Sequence, residues 1–274
     1  MEASDQEHPY DSYAEAYRDW WGPVIAPAAV RLLDRLDGLV SPEAPVHLVD
    51  VGTGTGTLAL AALERWPRAT AIGVDPSRRM LDLAAVDARR RGVDGRLRLL
   101  VGGAERLPMA DASADVVLST FVIQLVPGRA GALREMRRVL RGDGRCALLT
   151  WQASREPFEP EAVVDLTFDE LEIDVPEGGP DPRPYTSPEA AAAEFRRAGF
   201  RDVRARAERL EHRYTPETYV DVLEHWIEDD TFARLGPRRR AELRARLLRR
   251  LRELSSDELV WRPALISVTA LRAP

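Results

Sequence analysis

Three glycines at alternate positions point most directly to chemistry in this sequence. Gly52, Gly54 and Gly56 follow a short apolar run, and a helical pattern begins after them. Without a Cβ, such a turn lets backbone N–H groups approach a bound nucleotide closely. Asp75 ends the next apolar run, where an acidic side chain can accept hydrogen bonds from both hydroxyls of a ribose. The combination predicts an adenosine-containing ligand at the carboxyl edge of a parallel sheet.

The glycine spacing favours one class of adenosine ligand over another. The dinucleotide fingerprint G-x-G-x-x-G places its third glycine where a helix packs over a pyrophosphate, whereas Thr57 stands at that position here. Asp50, shortly before the first glycine, would repel a diphosphate. It can instead orient the loop, or face a cationic amine directly or through water. We therefore expect S-adenosylmethionine, which has such an amine, ahead of a nicotinamide dinucleotide.

The run from Asp50 to Gly56 resembles the first motif of the class I S-adenosylmethionine-dependent methyltransferases. The resemblance implies an α/β fold with a doubly wound, Rossmann-like seven-stranded sheet, its sixth strand parallel and its seventh antiparallel, and a helical cap. It covers residues 46–151 strongly and 187–272 in outline. It also implies S-adenosyl-L-methionine as the cofactor. The cofactor-binding residues expected on this basis are Asp50, Gly52, Thr53, Gly54, Gly56, Asp75, Pro76 and Thr120.

Two positions depart from the pattern of that family. After the third strand, Gly102 stands where relatives have an acid that accepts from the adenine amino group, so this contact is expected from the Ala104 backbone or Glu105. After the fourth strand, Gln124 stands where many small-molecule members have a histidine. A glutamine takes no proton at neutral pH, but its amide can hold a substrate oxygen, and we predict this catalytic role for it. A general base must then come from elsewhere or be unnecessary.

A catalytic base, if one is needed, is sought among the four histidines. His47 begins the first predicted strand, at the wrong edge of the sheet for catalysis. His8, His212 and His225 lie in segments that can bring an imidazole to the ligand. We prefer His225 as the catalytic candidate, because it adjoins Trp226 in a predicted cap helix.

Aromatic residues are frequent in the segments expected to meet at the ligand edge. Tyr10, Tyr13 and Tyr17 recur at spacings of three and four and so share one helix face. This stretch resembles the leader helix that closes over the cofactor in many relatives, which implies a contact from Tyr17 or Arg18 to the methionine carboxylate. Further rings predict a broad apolar pocket, with core packing as the alternative. They are Trp20, Trp21, Trp151, Phe158, Tyr185, Trp226 and Trp261.

Short apolar runs that alternate with helical patterns place the glycine turn and Asp75 at strand ends. The predicted strands are residues 46–51, 71–74, 97–101, 115–119, 145–151, 200 to about 213, and 260–271. The first predicted helices are residues 58–66, 77–91 and 129–141. This alternation indicates a doubly wound parallel sheet.

Four segments follow from this order. Residues 1–45 are expected to form N-terminal lid helices, and residues 46–151 the core that binds S-adenosylmethionine. Residues 152–187, rich in proline and acid, are expected to form a cap insertion. Residues 188–274 complete the core, with a helical cap insertion at about 215–257.

Composition narrows the class of partner. The chain has 274 residues and a formal net charge of −6, which argues against binding dominated by nucleic-acid phosphates. Cys146 is the single cysteine, which excludes an intrachain disulfide and thiol metal clusters. The first residues are acidic where a signal peptide would be basic, and no apolar run approaches membrane-spanning length. We expect a cytoplasmic protein with a small-molecule substrate, no metal, no membrane contact, and a homodimer as one possible assembly.

The sequence therefore predicts transfer of a methyl group from S-adenosylmethionine to a small-molecule acceptor, such as a natural product. The main alternative is an enzyme of the same fold that binds the cofactor but catalyses a non-methylating cyclisation or rearrangement, since the family histidine is missing at Gln124. A non-catalytic protein that binds the nucleotide and an NAD-dependent oxidoreductase are further alternatives. The glycine spacing weakens the last of these.

Overall fold

Parallel strands near the start of the chain place the glycine turn and Asp75 on one edge of a sheet. The computed structural model describes residues 8–38, 40–41, 43–154, 156–176 and 182–273. Within that part the strands are β1 His47–Val51, β2 Thr70–Asp75, β3 Leu97–Val101, β4 Ala114–Thr120, β5 Leu140–Trp151, β6 Phe200–Arg209, β7 His212–Arg213, β8 Val260–Trp261 and β9 Ala264–Arg272.

Seven of these strands form one sheet, in the order β3-β2-β1-β4-β5-β9-β6. Strands β1 to β5 are parallel to their neighbours among themselves, whereas β9 is antiparallel to both β5 and β6. The sixth strand is thus parallel to the first five and the seventh, β9, is antiparallel, so the predicted fold class is confirmed. The strand order reverses between β1 and β4, and ligands bind such sheets at the carboxyl ends of the strands beside this point.

Helices cover both faces of the sheet. They are α1 Pro9–Ala16, α2 Gly22–Arg31, α3 Thr57–Arg65, α4 Arg78–Arg90, α5 Arg129–Val139, α6 Glu159–Glu170, α7 Pro188–Arg197, α8 Pro216–Val222, α9 Asp229–Arg234 and α10 Pro237–Leu251. Short 3₁₀ helices lie at Leu32–Leu36 and Asp94–Arg96. Two π-helical turns follow α1 and α8, at Tyr17–Trp21 and Leu223–Ile227. Both turns contribute side chains to the site described below.

Alternate side chains of the central strands point into two cores. On β1, Leu48 lies in a buried cluster with residues of α2 and α3, whereas Val49 and Val51 lie in another with residues of α5 and α7. Successive strand residues point to opposite faces, so a strand covered on both sides must be apolar almost throughout. This explains why the strands before the glycine turn and before Asp75 read as continuous apolar runs.

A proline explains why the sixth and the last strand differ from their predicted bounds. The sequence predicts a sixth strand that runs to about residue 213 and an unbroken last strand over 260–271. Instead β6 ends at Arg209 and β9 begins only at Ala264. Pro263 has no N–H and cannot continue the ladder between them. The flanking residues pair separately, as β7 with β8.

The predicted cap insertion at residues 152–187 contains a helix that its composition did not indicate. Val164, Thr167 and Phe168 of α6 are buried, and Arg250 of α10 donates a hydrogen bond to Thr167 Oγ1 at 2.9 Å. Residues 155 and 177–181 of this segment lie outside the described residues. The four predicted segment boundaries stay predictions.

The described residues hold neither a membrane-spanning helix nor a cluster of metal-ligating side chains. None of the helices in that part of the chain combines the length and the apolar character that a bilayer crossing requires. Among the same residues, no three His, Cys, Asp or Glu side chains come together as ligands for a metal ion.

Candidate functional site

The three glycines of the turn adopt backbone conformations that other residues rarely reach. The φ angles of Gly52, Gly54 and Gly56 are 71°, 53° and 85°, in the left-handed region that glycine enters without strain. The N–H groups of Gly52 and Thr53 both donate to the carbonyl oxygen of Val74, at 2.7 and 3.0 Å. These bonds fix the turn against β2.

Asp75 ends β2, and backbone N–H groups hold both of its carboxylate oxygens. Its Oδ2 accepts from Gly54 and its Oδ1 from Ser77, each at 2.9 Å. Burial raises the pKa of this carboxyl, and the two backbone hydrogen bonds oppose that shift by stabilising the ionised form. A carboxylate oxygen can accept more than one hydrogen bond. Asp75 therefore keeps acceptor capacity for two hydroxyls while its own position is fixed.

A cavity of about 500 Å³ lies at the carboxyl ends of β1, β2 and β4, and this volume is within the usual range of ligand pockets. The structure brings most of the predicted site residues to its wall. Those that line it are Tyr17, Gly52, Gly54, Asp75, Pro76, Ala104, Glu105, Thr120 and Gln124. The predicted residues that do not line it are Asp50, Thr53, Gly56 and His225. We call this space the cofactor cavity.

Asp50 lies behind the glycine turn and not on the cavity wall. The residue is 2% exposed, and its Oδ2 accepts a hydrogen bond from Thr53 Oγ1 at 2.8 Å. Burial raises the pKa of Asp50 to about 7, against the opposing effect of the Thr53 hydrogen bond. This placement agrees with a role of Asp50 in orienting the loop. It does not agree with direct contact between Asp50 and a ligand in the cavity.

Tyr17 reaches the cavity from the first π-helical turn. Its ring packs edge-on against that of Trp226, with centroids 5.5 Å apart. Burial raises the pKa of the Tyr17 phenol, and the nearby Asp75 carboxylate adds to this shift. The hydroxyl therefore stays protonated at neutral pH, so it can donate a hydrogen bond to an anion but cannot act as a base.

Glu105 is on the cavity wall but is also exposed to solvent. Its carboxylate lies against Gly128, the residue that precedes α5. A helix N-terminus favours a negative charge, so this placement gives Glu105 a local structural role. The adenine contact predicted for Ala104 or Glu105 stays a prediction.

Gln124 is buried at the cavity wall, and its amide is engaged at both ends. Its Nε2 donates to the Phe121 carbonyl oxygen and its Oε1 accepts from Thr150 Oγ1, each at 2.6 Å. Phe121 has a φ of 58°, which is unusual for a residue other than glycine. Gln124 therefore supports the turn after β4 and joins it to β5. One amide N–H and one oxygen lone pair remain for a substrate.

The structure does not bring His225 to the cofactor cavity. Its ring stacks on Trp20, with centroids 4.5 Å apart, and its Nδ1 lies 2.8 Å from the Asp221 carbonyl oxygen. The segment Leu223–Ile227 is a π-helical turn, and the additional residue per turn changes which side chains face inward. Trp226 lines the cavity wall in its place. The predicted role of His225 as a base has no geometric basis in this arrangement.

Of the four histidines, all within the described residues, His8 alone lines the cofactor cavity. It is the N-cap of α1: its Nδ1 accepts from the Tyr10 N–H at 3.3 Å, and its own N–H donates to Asp11 Oδ2 at 2.8 Å. His212 lies in β7, with its ring against Tyr214. No sequence pattern distinguished His8 from the other histidines, because its position depends on how α1 packs against α4.

Apolar side chains that complete the cavity wall were not predicted. They include Ile25, Met80, Phe121, Val122, Leu125, Val126, Pro127 and Pro182. Met80 has a recognisable signal, since it is an apolar residue in the first turn of the helix after Asp75. The others come from segments far apart in the chain, and only the fold brings them together. Trp21, Trp151 and Trp226 of the predicted aromatic set also line the wall.

Comparison with known proteins agrees with the geometry. Residues 49–148 match the methyltransferase domain family. This range contains the glycine turn, Asp75 and the cavity wall after β3 and β4.

The chain spans about half the length of the first curated relatives that it matches. It is 38% identical over 124 residues to the ubiquinone/menaquinone biosynthesis C-methyltransferase UbiE of Dinoroseobacter shibae, an alignment that covers 45% of this chain and 50% of that protein. A longer alignment relates it to nocamycin O-methyltransferase of Saccharothrix syringae. That alignment is 31% identical over 262 residues and covers 88% of this chain and 89% of that protein.

The fold is shared with solved structures of low sequence identity. The YcgJ protein of Bacillus subtilis has a TM-score of 0.58 at 21% identity, over 89% of this chain and 99% of that one. This likeness shows the fold alone, whereas the nearly full-length relative shows the family. The chain belongs to the class I S-adenosylmethionine-dependent methyltransferases.

Proposed function

We propose that this protein transfers a methyl group from S-adenosylmethionine to an oxygen atom of a small-molecule acceptor, such as a natural product. The main support is its similarity, over nearly the whole chain, to a protein named nocamycin O-methyltransferase. The relative named as a C-methyltransferase aligns with only 45% of the chain. It says less about the acceptor.

The wall of the cofactor cavity fits the proposed cofactor. A Cβ at Gly52 would overlap the Val122 side chain, so the turn has no room for a larger residue. We assign the ribose hydroxyls to Asp75 and the methionine carboxylate to the protonated phenol of Tyr17. Thr53 and Gly56 act indirectly, because they shape the turn without lining the cavity. When bound, the cofactor supplies a methyl group made electrophilic by its sulfonium.

The cavity wall offers little that could serve as a general base. His8 is the single imidazole among the described residues that line it, and its Nδ1 accepts the Tyr10 N–H. The Tyr17 phenol stays protonated, and the Gln124 amide takes no proton at neutral pH. A base is dispensable when the acceptor oxygen is already ionised. We therefore propose an acceptor whose oxygen ionises on its own near neutral pH, such as a carboxylic acid or an acidic enol.

The contribution left to the protein is alignment and the exclusion of water. Alignment of reacting groups can supply roughly 7–11 kcal/mol of the barrier. Trp21, Phe121, Trp151 and Trp226 place apolar rings on the cavity wall. Such a wall keeps competing water away from the methyl group. In this scheme Gln124 uses its remaining N–H to hold the acceptor oxygen.

The test is a product analysis. The purified protein is incubated with methyl-labelled S-adenosylmethionine and a panel of carboxylic acids, acidic enols, phenols and amines. We expect labelled methyl esters or enol ethers, together with S-adenosylhomocysteine, by mass spectrometry. Methylation only at nitrogen or carbon would show that the proposed acceptor atom is wrong. A rearranged substrate without S-adenosylhomocysteine would favour the non-methylating alternative.

Asp75→Asn is the matched variant for the cofactor site. We expect it to weaken S-adenosylhomocysteine binding about 10- to 100-fold, as the loss of charge-assisted hydrogen bonds implies. The control is Asp82→Asn, which removes the same charge from an exposed position on α4. Unaltered affinity in Asp75→Asn, measured by calorimetry, would contradict the assignment of the ribose site.

A further inference from the structure

A second cavity, of about 840 Å³, lies at the same edge of the sheet as the cofactor cavity. Its wall comes from the ends of β5 and β6, the start of β9 and the chain before α6. We call it the outer cavity. Its lining includes Trp151, Phe158, Glu161, Arg209, Trp261 and Pro263.

Trp151 lies between the two cavities. It is the last residue of β5 and lines both of them. Its ring centroid is 4.6 Å from that of Phe121, which lines the cofactor cavity, and 5.6 Å from that of Trp261, which lines the outer cavity. The three rings form a continuous aromatic wall from one space to the other.

The cofactor cavity has little room for an acceptor beside the cofactor. Its volume of about 500 Å³ is in the lower part of the range for a single ligand, roughly 300–1,000 Å³. The proposed contacts place the cofactor along its length, from Glu105 to Tyr17. An acceptor of comparable size therefore needs further space. The outer cavity adjoins the cofactor cavity at Trp151 and provides that space.

The charged side chains of the outer cavity favour an uncharged ligand body. Arg209 pairs with both carboxylate oxygens of Glu156, and Arg262 donates to Asp257 at 3.0 Å. These guanidinium groups are already engaged and have little attraction left for an anion. The Glu161 carboxylate accepts no hydrogen bond from the described part of the chain, and when ionised it would repel an acidic group. The aromatic rings are the remaining large contact surface.

We propose that the body of the acceptor is a planar, uncharged ring system that lies in the outer cavity against Trp151 and Trp261. Its reactive oxygen then extends past the edge of Trp151 to the cofactor cavity. The rings of Trp151 and Trp261 can make offset or edge-on contacts with a planar ring system. The inference rests on the proposed function and adds the class and the position of the acceptor.

The test measures binding of 2-naphthol, a neutral planar probe, to the full chain saturated with S-adenosylhomocysteine. Ser154→Trp fills the outer cavity from an exposed position on its wall. Ala153→Trp is the matched control, because it puts the same side chain at an exposed neighbour that does not line the cavity. By calorimetry, we expect Ser154→Trp to weaken probe binding about tenfold or more and Ala153→Trp less than about twofold.

A second variant removes the ring contact without filling the cavity. Trp261→Leu should weaken binding of 2-naphthol about three- to tenfold, which is the usual range for loss of one aromatic contact. S-adenosylhomocysteine affinity should remain that of the wild type in every variant. This second readout shows that each variant is folded and that the cofactor cavity is unchanged.

Several outcomes would overturn the inference. Equal probe affinity in the wild type and Ser154→Trp would do so, as would no binding of 2-naphthol at millimolar concentration. Competition between 2-naphthol and S-adenosylhomocysteine would place the probe in the cofactor cavity and would also contradict it. A wild-type protein that does not bind S-adenosylhomocysteine would instead refute the proposed function, and this result is seen before any probe is added.

Discussion

At Gly52, the space that a side chain would need is taken by Val122. A Cβ there would overlap both Val122 methyl groups, and the φ of 71° disfavours any other residue independently of that overlap. The Gly52 N–H also donates to Val74. This one residue therefore connects the end of β1, the end of β2 and the segment after β4.

Gly52→Ala should destabilise the protein by about 1–3 kcal/mol, because it adds both steric overlap and backbone strain. Thermal unfolding measures this effect, and calorimetry should show weaker binding of S-adenosylhomocysteine. Gly131→Ala is the control, since a Cβ at that position meets no atom within 4 Å. If the overlap with Val122 is the cause, Val122→Ala should restore part of the lost stability in the double variant. No restoration would show that the backbone angle alone is responsible.

The buried carboxyl of Asp50 should make the stability of the folded protein depend on pH. Its pKa in the folded protein, about 7, lies above the ordinary aspartate value near 4 because the carboxyl is buried. The folded state therefore holds this proton more tightly than the unfolded state. The favourable contribution of the protonated carboxyl is complete below about pH 4 and is lost as pH rises through about 7.

Asp50→Asn should remove this dependence, since an amide does not ionise and its oxygen can still accept from Thr53 Oγ1. Without cofactor, the melting temperature of the variant should rise relative to the wild type between about pH 5 and pH 8. Melting curves at several pH values check this. A difference that does not change with pH would mean that the carboxyl titrates normally in the folded protein.

At the scale of elements, one carboxylate joins α1 to α4. Asp11 Oδ1 accepts from Ser77 Oγ at 2.6 Å and from the Arg79 N–H at 3.0 Å, and Asp11 Oδ2 accepts from the His8 N–H. These hydrogen bonds lower the pKa of Asp11. Ser77 also donates its N–H to Asp75. The leader helix is thus fixed beside the proposed ribose site.

Asp11→Ala should loosen α1 and weaken S-adenosylhomocysteine binding about three- to tenfold, because Tyr10 and Tyr17 would then be held less firmly at the cavity. Limited proteolysis should show earlier cleavage near residues 8–21 in the variant. Asp19→Ala is the control, because Asp19 forms its ion pair with the adjacent Arg18 at the surface. Equal affinity and equal protease resistance in both variants would contradict this role for Asp11.

At the scale of the whole molecule, the sheet places two cavities on one edge. The cofactor cavity lies at β1, β2 and β4, the outer cavity lies at β5, β9 and β6, and the last residue of β5 borders both. An enzyme that aligns two molecules for transfer of one group needs such adjoining sites. The homodimer stays a prediction, which sedimentation can test.

Because the cofactor cavity exists only in the folded chain, a ligand bound there should stabilise the whole protein. At 100 times its dissociation constant, S-adenosylhomocysteine should add about 2.7 kcal/mol to the free energy of unfolding. For a chain of this size, that corresponds to a rise in melting temperature of about 4–10 °C. NAD is the control ligand and should produce no shift. A rise with NAD alone would support the dinucleotide alternative instead.

Much of the cofactor site could be predicted because it depends on local backbone. Glycines that follow a buried strand must form a tight turn, and an acid at the end of the next parallel strand must lie at the same edge. Gly52, Gly54 and Asp75 meet on the cavity wall for this reason. Pro263 had a readable signal as well, since a residue without an N–H interrupts a strand.

The part of the site that would hold the acceptor depends on contacts between segments far apart in the chain. These contacts could not be predicted from the sequence. An α-helical count around residues 223–227 does not show that a π-helical turn presents Trp226 and turns His225 toward Trp20. The hydrogen bond between Gln124 and Thr150 could not be predicted either, since it requires β4 and β5 to be neighbours. The sequence by itself determined the fold class and the nucleotide edge, because periodicity and glycine conformation are local properties. Only the tertiary structure decided which side chains surround the reacting group, because that depends on the packing of segments far apart in the chain.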